Sequence, residues 1–243
     1  QRVDRRRGRG CFGDGDPVHH LVRQCCPAPG PSPGSLNRPG ARPPTDGLGY
    51  SDRVLLHLIR HGQTDSNVNH LLDTAHPGAP LNWTGLGQAE TLVQRLAGAE
   101  IEAVFSSDLV RAVQTATPLA AARGLEVVQD RRFREIPAGV EEMNPDWDRY
   151  TRMLLRWIED MEHTIEGGES GNQVLARFDA GVAEIASVHR SAVIVSHGAM
   201  LGVWLTMRGG VDPSVVGHLE NTAVIVLDGH PGSGWEIISL AEL

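Results

Sequence analysis

The sequence predicts an α/β fold, a three-layer α/β/α sandwich with a mainly parallel sheet and one antiparallel strand. Short apolar runs alternate along the chain with longer stretches of helical spacing, which is typical of strands joined by crossover helices. The strongest runs are apolar on successive residues, as expected of strands that helices cover on both faces. With 243 residues and 40% hydrophobic content, the chain is long enough to bury one substantial core.

Each strand is predicted from one of the apolar runs. The most strand-like of them is the run at 192–196. The last two runs flank a turn at 228–232, so the antiparallel strand is expected in this closing pair. The complete predicted set is residues 54–59, 103–106, 127–128, 192–196, 223–227 and 235–240.

Five helices are predicted where apolar residues recur every three or four positions. Asp108 follows the second strand and is the candidate N-cap of the helix that begins two residues later. The predicted helices are residues 86–96, 110–122, 147–161, 171–188 and 199–207.

Residues 1–50 differ in composition from the rest of the chain. They contain 9 Gly, 8 Pro and 8 of the 22 basic residues, without sustained apolar periodicity. Such a segment buries too little apolar surface to offset the entropy of ordering, so it is predicted to be a disordered leader before one domain at 51–243. Its arginines lack the interleaved aromatic residues of a nucleic-acid site and the apolar stretch of a secretory signal.

Composition excludes several classes of protein. All basic residues are arginine, so a lysine-containing nucleotide-binding P-loop is excluded. The longest apolar runs are far shorter than the roughly 20 residues of a membrane span. Cys11, Cys25 and Cys26 all lie in the leader, so the domain has neither a thiol nucleophile nor an internal disulfide, and a cytoplasmic location is expected.

Two histidines follow directly after predicted strands. His61 comes after the first strand and His197 after the fourth. Each is followed by a glycine, Gly62 or Gly198, which allows the backbone to turn sharply and approach an anion. Ligands of such sheets bind outside the carboxyl ends of the strands, where helix amino termini present free N–H groups. We therefore expect both histidines in one site.

Two arginines accompany these histidines. Arg60 precedes His61, and Arg111 lies about one turn into the helix after the second strand. The planar guanidinium group binds two phosphate oxygens at once. Two arginines and two histidines at one sheet edge indicate a site for a phosphate dianion.

These residues resemble a known family, the histidine phosphatase superfamily, in the branch that includes the cofactor-dependent phosphoglycerate mutases. An Arg-His-Gly tripeptide alone would be weak evidence, but five blocks occur in the family's order across about residues 53–240. The blocks are LIRHGQT at 58–64 with Asn67; Leu81, Gly85, Gln88 and Ala89; SSDLVRAVQTA at 106–116; REI at 134–136 with Gly139; and VSHG at 195–198.

The resemblance implies a phosphoglycerate mutase-like fold and a role for each residue of the site. His61 would attack phosphorus as a neutral imidazole that is held in one tautomer. Arg60, Arg111 and His197 would surround the phosphoryl oxygens and stabilise the charge of the transition state.

Glu135 would be the proton donor to the leaving oxygen and then the acceptor of a proton from the attacking water. Glu141, Glu142 and Glu169 are the alternative carboxylates for this role. The resemblance also implies substrate-binding groups, which are the side chain of Asn67 and the backbone N–H groups of Gly198 and Ala199. His57 lies on the same strand face as His61 and is interpreted as a packed core histidine, with support of His61 as the alternative.

Three segments leave specificity open. Residues 70–80 do not follow the family pattern in a region that often positions the substrate, and residues 137–144 lack the Glu-Gly ending of many relatives. Residues 147–169 are expected to form a cap over the site. The large side chains of this cap are interpreted as a core stripe, with a pocket wall as the alternative, and they are Trp147, Tyr150, Met153 and Trp157.

The sequence favours a metal-independent phosphatase that hydrolyses small phosphomonoesters through a phosphohistidine. Its alternatives are a mutase, against which the lack of an extended lid insertion argues, and an idle phosphate-binding module, against which the retained His61 and Glu135 argue. No metal or other cofactor is expected, since no His-x-x-x-His or His-Glu-x-x-His spacing falls on a predicted helix. The expected partner is a small phosphorylated substrate, without nucleic acid or membrane, and a homodimer is left open.

Overall fold

A computed structural model describes residues 53–217 and 219–241 of the chain. Its sheet has six strands, and their order across the sheet is third, second, fourth, first, fifth, sixth. The first four strands pair in parallel, whereas the fifth runs antiparallel to both the first and the sixth. The strands are β1 (Val54–Arg60), β2 (Ala103–Ser106), β3 (Val127–Gln129), β4 (Ser191–Ser196), β5 (Val224–His230) and β6 (Gly234–Ala241).

Seven α-helices and two single 3₁₀ turns connect the strands within the described residues. No helix in this part of the chain has both the length and the apolar character that crossing a membrane requires. The predicted leader, residues 1–50, lies outside the described residues. The helices are α1 (Asp65–Val68), α2 (Trp83–Arg95), α3 (Val110–Arg123), α4 (Asp148–Arg156), α5 (Gly171–Val188), α6 (Gly198–Gly209) and α7 (Pro213–Val216), and the 3₁₀ turns are Arg131–Phe133 and Gly139–Glu141.

The sheet separates two buried clusters, which makes the molecule three-layered as predicted. Along β1, Leu58 faces the cluster that contains the buried residues of α5 and α6, whereas Ile59 faces the cluster that contains those of α2 and α3. In β4, Ile194 and Val195 divide between the two clusters in the same way. Side chains alternate between the faces of a strand, so both faces of a strand covered by helices must be apolar.

The single antiparallel strand, β5, confirms the expectation for the closing pair of strands. Asp108 is not an N-cap, so that prediction is wrong. Leu109 occupies the N-cap position of α3 without a side-chain hydrogen bond. Both carboxylate oxygens of Asp108 instead accept from Arg134, at 2.6 Å each. A bidentate charged pair satisfies this carboxylate better than one backbone N–H.

Two predicted helices have different bounds in the structure. The third helix was expected over 147–161, but α4 ends at Arg156. The backbone N–H groups of residues 157–159 donate to the carbonyls three residues earlier, which tightens the chain into a turn. The indole N–H of Trp157 donates to His163 O at 2.8 Å. The first predicted helix, 86–96, begins earlier as α2, because the Asn82 side chain caps the N–H of Gly85.

Candidate active site

The two histidines lie side by side because β1 and β4 are neighbouring parallel strands. Their register pairs Arg60 with Ser196, so the next residues, His61 and His197, leave the sheet together. The His61 backbone N–H donates to Ser196 O at 3.0 Å, and the two imidazole ring centroids are 5.1 Å apart. The expected meeting of both histidines at the carboxyl edge of the sheet is therefore present.

The His61 ring is held in one tautomer. Its Nδ1 lies 2.7 Å from Gly62 O, which can only accept, so Nδ1 carries the proton. Its Nε2 then has the lone pair, which accepts from Arg111 Nε at 3.1 Å. Burial, followed by the charges of Arg111 and Arg60, holds the pKa of His61 well below its usual value. The ring is therefore neutral, with the lone pair of Nε2 on the side of Arg111.

Glycines bring the loop after β1 against α2. A Cβ on Gly62 would lie 2.8 Å from Gly85 O, and a Cβ on Gly85 would overlap Gln63 O. The Gly62 N–H donates to the Thr115 hydroxyl at 2.9 Å, which joins this loop to the helix that carries Arg111. Gly62 therefore serves a close approach between two backbones.

Arg111 is almost fully buried, at 3% exposure, in the first turn of α3. Its Nη2 donates to the carbonyl of Asp73 at 2.7 Å, and its Nη1 lies 3.7 Å from the Asp73 carboxylate. That carboxylate is held in turn by the Ser66 hydroxyl and the Ala79 N–H. The segment 70–80, which departs from the family pattern, thus orients Arg111, and the sequence carried no signal for Asp73.

His197 is completely buried behind His61. Within the described part of the chain, neither ring nitrogen of His197 has a hydrogen-bond partner. The pKa of His197 lies well below its usual value, mainly because the ring is buried and secondly because Arg111 and other charged neighbours lie close to it. The side chain of Arg60 crosses the start of α6, because a Cβ on Gly198 would lie 3.4 Å from Arg60 Nε. The Nη1 of Arg60 donates to Leu219 O.

Glu135 binds the amino terminus of α6. Its two carboxylate oxygens accept from the N–H groups of Ala199 at 3.1 Å and Met200 at 2.8 Å, and one of them also accepts from Ile136 N–H at 2.9 Å. The Ala199 N–H, a predicted substrate-binding group, is thus engaged by Glu135 in this structure. Arg177 supports the same segment through bonds to three carbonyls, including that of Glu135 at 3.1 Å.

The three alternative carboxylates have other partners. Glu141 accepts from Asn144 and Arg149, Glu142 from Thr74 and the Ala75 N–H, and Glu169 from Arg177. Of the four candidates, Glu135 is the one that lines the cavity beside His61.

Asn67 and Asn221 hold the backbone around His61. Asn67 Oδ1 accepts from the Thr64 N–H at 3.0 Å and from Asn221 Nδ2 at 3.3 Å. Asn221 Nδ2 also donates to His61 O at 3.0 Å. Sequence reasoning identified Asn67 and missed Asn221, because Asn221 lies in a loop 160 residues after His61 and outside every matched block.

A cavity of about 1470 Å³ opens over these groups. His197 is behind its surface, and seven of the eight predicted site residues line it, namely Arg60, His61, Asn67, Arg111, Glu135, Gly198 and Ala199. Met153 is core, as interpreted, whereas Tyr150 and Trp157 are buried side chains that also reach the cavity. Trp147 is half-buried and lines the cavity.

His57 is buried, at 3% exposure, and burial lowers its pKa, which confirms the core interpretation. Among residues 53–217 and 219–241, no three His, Cys, Asp or Glu side chains are grouped so that they could hold a metal ion.

Comparison with known proteins supports the resemblance of the motifs. A sequence model of the histidine phosphatase superfamily (branch 1) matches residues 56–242. A probable phosphoglycerate mutase GpmB from Yersinia enterocolitica is 32% identical over 200 residues, covering 76% of this chain and 91% of that protein. Its counterpart from Proteus mirabilis is 31% identical, covering 62% of this chain and 73% of that protein.

Solved structures share the same fold. A mycobacterial glucosyl-3-phosphoglycerate phosphatase in complex with VO3 superimposes with a TM-score of 0.66 at 28% identity, covering 78% of this chain and 98% of that one. A phosphoglycerate mutase from Bacillus anthracis has a TM-score of 0.62 at 21% identity, covering 79% and 92%, which supports the fold alone. With the match over residues 56–242, the chain belongs to branch 1 of the histidine phosphatase superfamily.

Proposed function

We propose that this chain is a metal-independent phosphatase that hydrolyses small phosphomonoesters through a phosphohistidine on His61. The observation that carries the proposal is the state of His61 at the base of the cavity. Its Nδ1–H is fixed by Gly62 O, its pKa is lowered, and its Nε2 lone pair is directed at the guanidinium of Arg111. A nucleophile of this kind must be neutral and oriented.

In the first step, the Arg111 N–H that donates to His61 Nε2 turns to a phosphoryl oxygen. The freed Nε2 attacks phosphorus, and the bond between phosphorus and the alcohol oxygen breaks. The N–H groups of Arg111 and Arg60 bind the phosphoryl oxygens and supply the positive charge that the transition state needs. Glu135 gives a proton to the departing alcohol. Water then attacks the phosphohistidine, Glu135 takes a proton from it, and phosphate and neutral His61 are regenerated.

The decisive experiment is rapid quenching of the full chain with a ³²P-labelled alkyl phosphate. We expect an acid-labile, base-stable phosphoenzyme that His61→Asn abolishes, and turnover that persists in EDTA. His163→Asn, at a half-buried position away from the cavity, is the matched control. Label on another residue, or activity that chelation removes and added metal restores, would show that the proposal is wrong.

A second candidate function, a phosphoglycerate mutase, is favoured by the names of the curated relatives. The two activities differ in the fate of the phosphoryl group, which a mutase returns to the substrate and a phosphatase gives to water. Incubation with 3-phosphoglycerate distinguishes them. Conversion to 2-phosphoglycerate without comparable phosphate release would favour the mutase. If no phosphoenzyme forms at all, both activities are excluded and the idle phosphate-binding module is the remaining function.

The acid role of Glu135 needs its own test, because this carboxylate also caps α6. An alkyl alcohol leaves poorly unless it is protonated, whereas nitrophenolate leaves without help. Glu135→Gln should therefore slow phosphorylation by an alkyl phosphate about 10²- to 10⁴-fold, and much less by nitrophenyl phosphate. Equal losses in single-turnover measurements would mean that Glu135 acts on the helix and not on the leaving group. Glu141→Gln, at an alternative carboxylate that does not line the cavity, is the control.

A further inference from the structure

Apolar side chains of α4, α6 and α7 form part of the lining of the cavity. Leu154 and Leu155 of α4 and Val203 and Met207 of α6 are half-buried, with part of each surface at the cavity, and Thr151 and Thr206 line it from the same helices. Val216 of α7 continues this lining. The mechanism proposed above uses none of these five apolar residues, which we call the apolar wall.

Within the described residues, the charged side chains that line the cavity are Arg60, Asp73, Arg111, Glu135 and Glu220. Among the described residues that line it, no charged side chain comes from α4, α6 or α7. Its two lining arginines, Arg60 and Arg111, both lie next to His61 and act on the pKa of that ring. Both guanidinium groups already have partners, since Arg111 donates to the Asp73 carbonyl and Arg60 donates to the Leu219 carbonyl.

This distribution discriminates between phosphate esters by their alcohol part. A carboxylate or a second phosphate on the alcohol would lose water at the apolar wall without gaining a counter-charge, which is unfavourable. An uncharged alkyl or aromatic group would instead bury its own surface and that of the wall, and the gain grows with the number of buried methylenes.

We propose that the preferred substrates are phosphomonoesters of uncharged, apolar alcohols, whose hydrocarbon part lies against Leu155, Val203 and Met207 while the phosphate lies at His61. The inference rests on the proposed phosphatase function. It assigns to the apolar wall the selection of the leaving alcohol.

Esters of primary alcohols test the inference, because their leaving groups have similar basicity. We expect kcat/KM to rise roughly two- to fourfold for each methylene from propyl to hexyl phosphate. We expect glycerol 1-phosphate to be used less well than hexyl phosphate, and 3-phosphoglycerate, with its carboxylate, least well. The measurements use the full chain, with phosphate release as the readout.

Substitutions at Leu155 test the wall itself, since this side chain lies outside the core cluster of the described residues. Leu155→Gln should reduce the preference for hexyl over propyl phosphate by at least threefold. Leu155→Arg should raise the kcat/KM for 3-phosphoglycerate relative to hexyl phosphate by at least tenfold. Leu86→Gln and Leu86→Arg, on the exposed face of α2 and away from the cavity, are the matched controls.

If the Leu155 substitutions unfold the chain, Val203→Thr is the second variant, because it keeps the shape of the side chain and adds a hydroxyl to the apolar wall. It should also reduce the preference for hexyl over propyl phosphate. A flat or reversed series in a protein that forms phosphohistidine on His61 would overturn the inference and leave the phosphatase function standing. The inference would also be overturned if the Leu86 variants changed the dependence of kcat/KM on alkyl chain length as much as the Leu155 variants do. If no ester labels His61, the proposed function fails, and the inference fails with it.

Discussion

The neutral state of His61 should be visible in the pH dependence of phosphoenzyme formation. An imidazole with the ordinary pKa of 6.5 is about 3% neutral at pH 5.0, so a reaction that needs it would slow roughly 30-fold between pH 7.5 and 5.0. Burial and the charges of Arg111 and Arg60 destabilise the imidazolium and lower the pKa of His61. The phosphorylation rate should therefore fall by clearly less than 30-fold over this range.

The assay is single-turnover phosphorylation, with rates expressed per substrate dianion so that substrate ionisation does not enter. The His61 ring itself is followed by NMR, with its signals assigned by comparison with His61→Asn. Arg111→Gln removes the nearest charge and should move the protonation of His61 to higher pH. Arg208→Gln, which removes a guanidinium paired with Asp179 on the surface, should not. A 30-fold or larger fall, or a His61 ring that titrates at pH 6.5 or above, would refute the reasoning.

Three further predictions concern residues that support the site. Asp73→Asn removes the carboxylate 3.7 Å from Arg111 and should slow single-turnover phosphorylation roughly ten- to hundredfold through misplacement of the guanidinium; an unchanged rate would mean that its carbonyl contact alone is sufficient. Arg177→Met removes bonds to three carbonyls around Glu135 and should lower the free energy of unfolding by about 2–4 kcal/mol, measured by urea denaturation. Burial lowers the pKa of His57, so the folded chain binds fewer protons than the unfolded chain below pH 6.5. The free energy of unfolding should then decrease as the pH falls, with up to about 1.4 kcal/mol per pH unit from His57, and His57→Leu should remove that part of the slope.

The sheet could be predicted closely because its signal is local. Nearly continuous apolar runs at 54–59 and 192–196 were enough to identify β1 and β4, which extend one residue beyond those limits. Helix ends depend on partners that are distant in the sequence. The end of α4 depends on the indole of Trp157 reaching His163 O, and the partner of Asp108 is Arg134, 26 residues later. A window along the chain does not contain such partners.

The same division applies to the site. The sequence was sufficient to bring the two histidines together, because His61 and His197 follow apolar strands and parallel strands end at one edge of a sheet. The tertiary structure decided how these groups are held. Asp73 reaches Arg111 across 38 residues, and Asn221 reaches the His61 carbonyl across 160.

The apolar wall is visible only in the folded molecule, because α4 and α6 lie far apart in the chain and line the same cavity. Composition and spacing describe one segment at a time. The shape of a cavity and the side chains that line it depend on contacts between distant segments, so the type of alcohol that fits beside the phosphate could be inferred only from the folded chain.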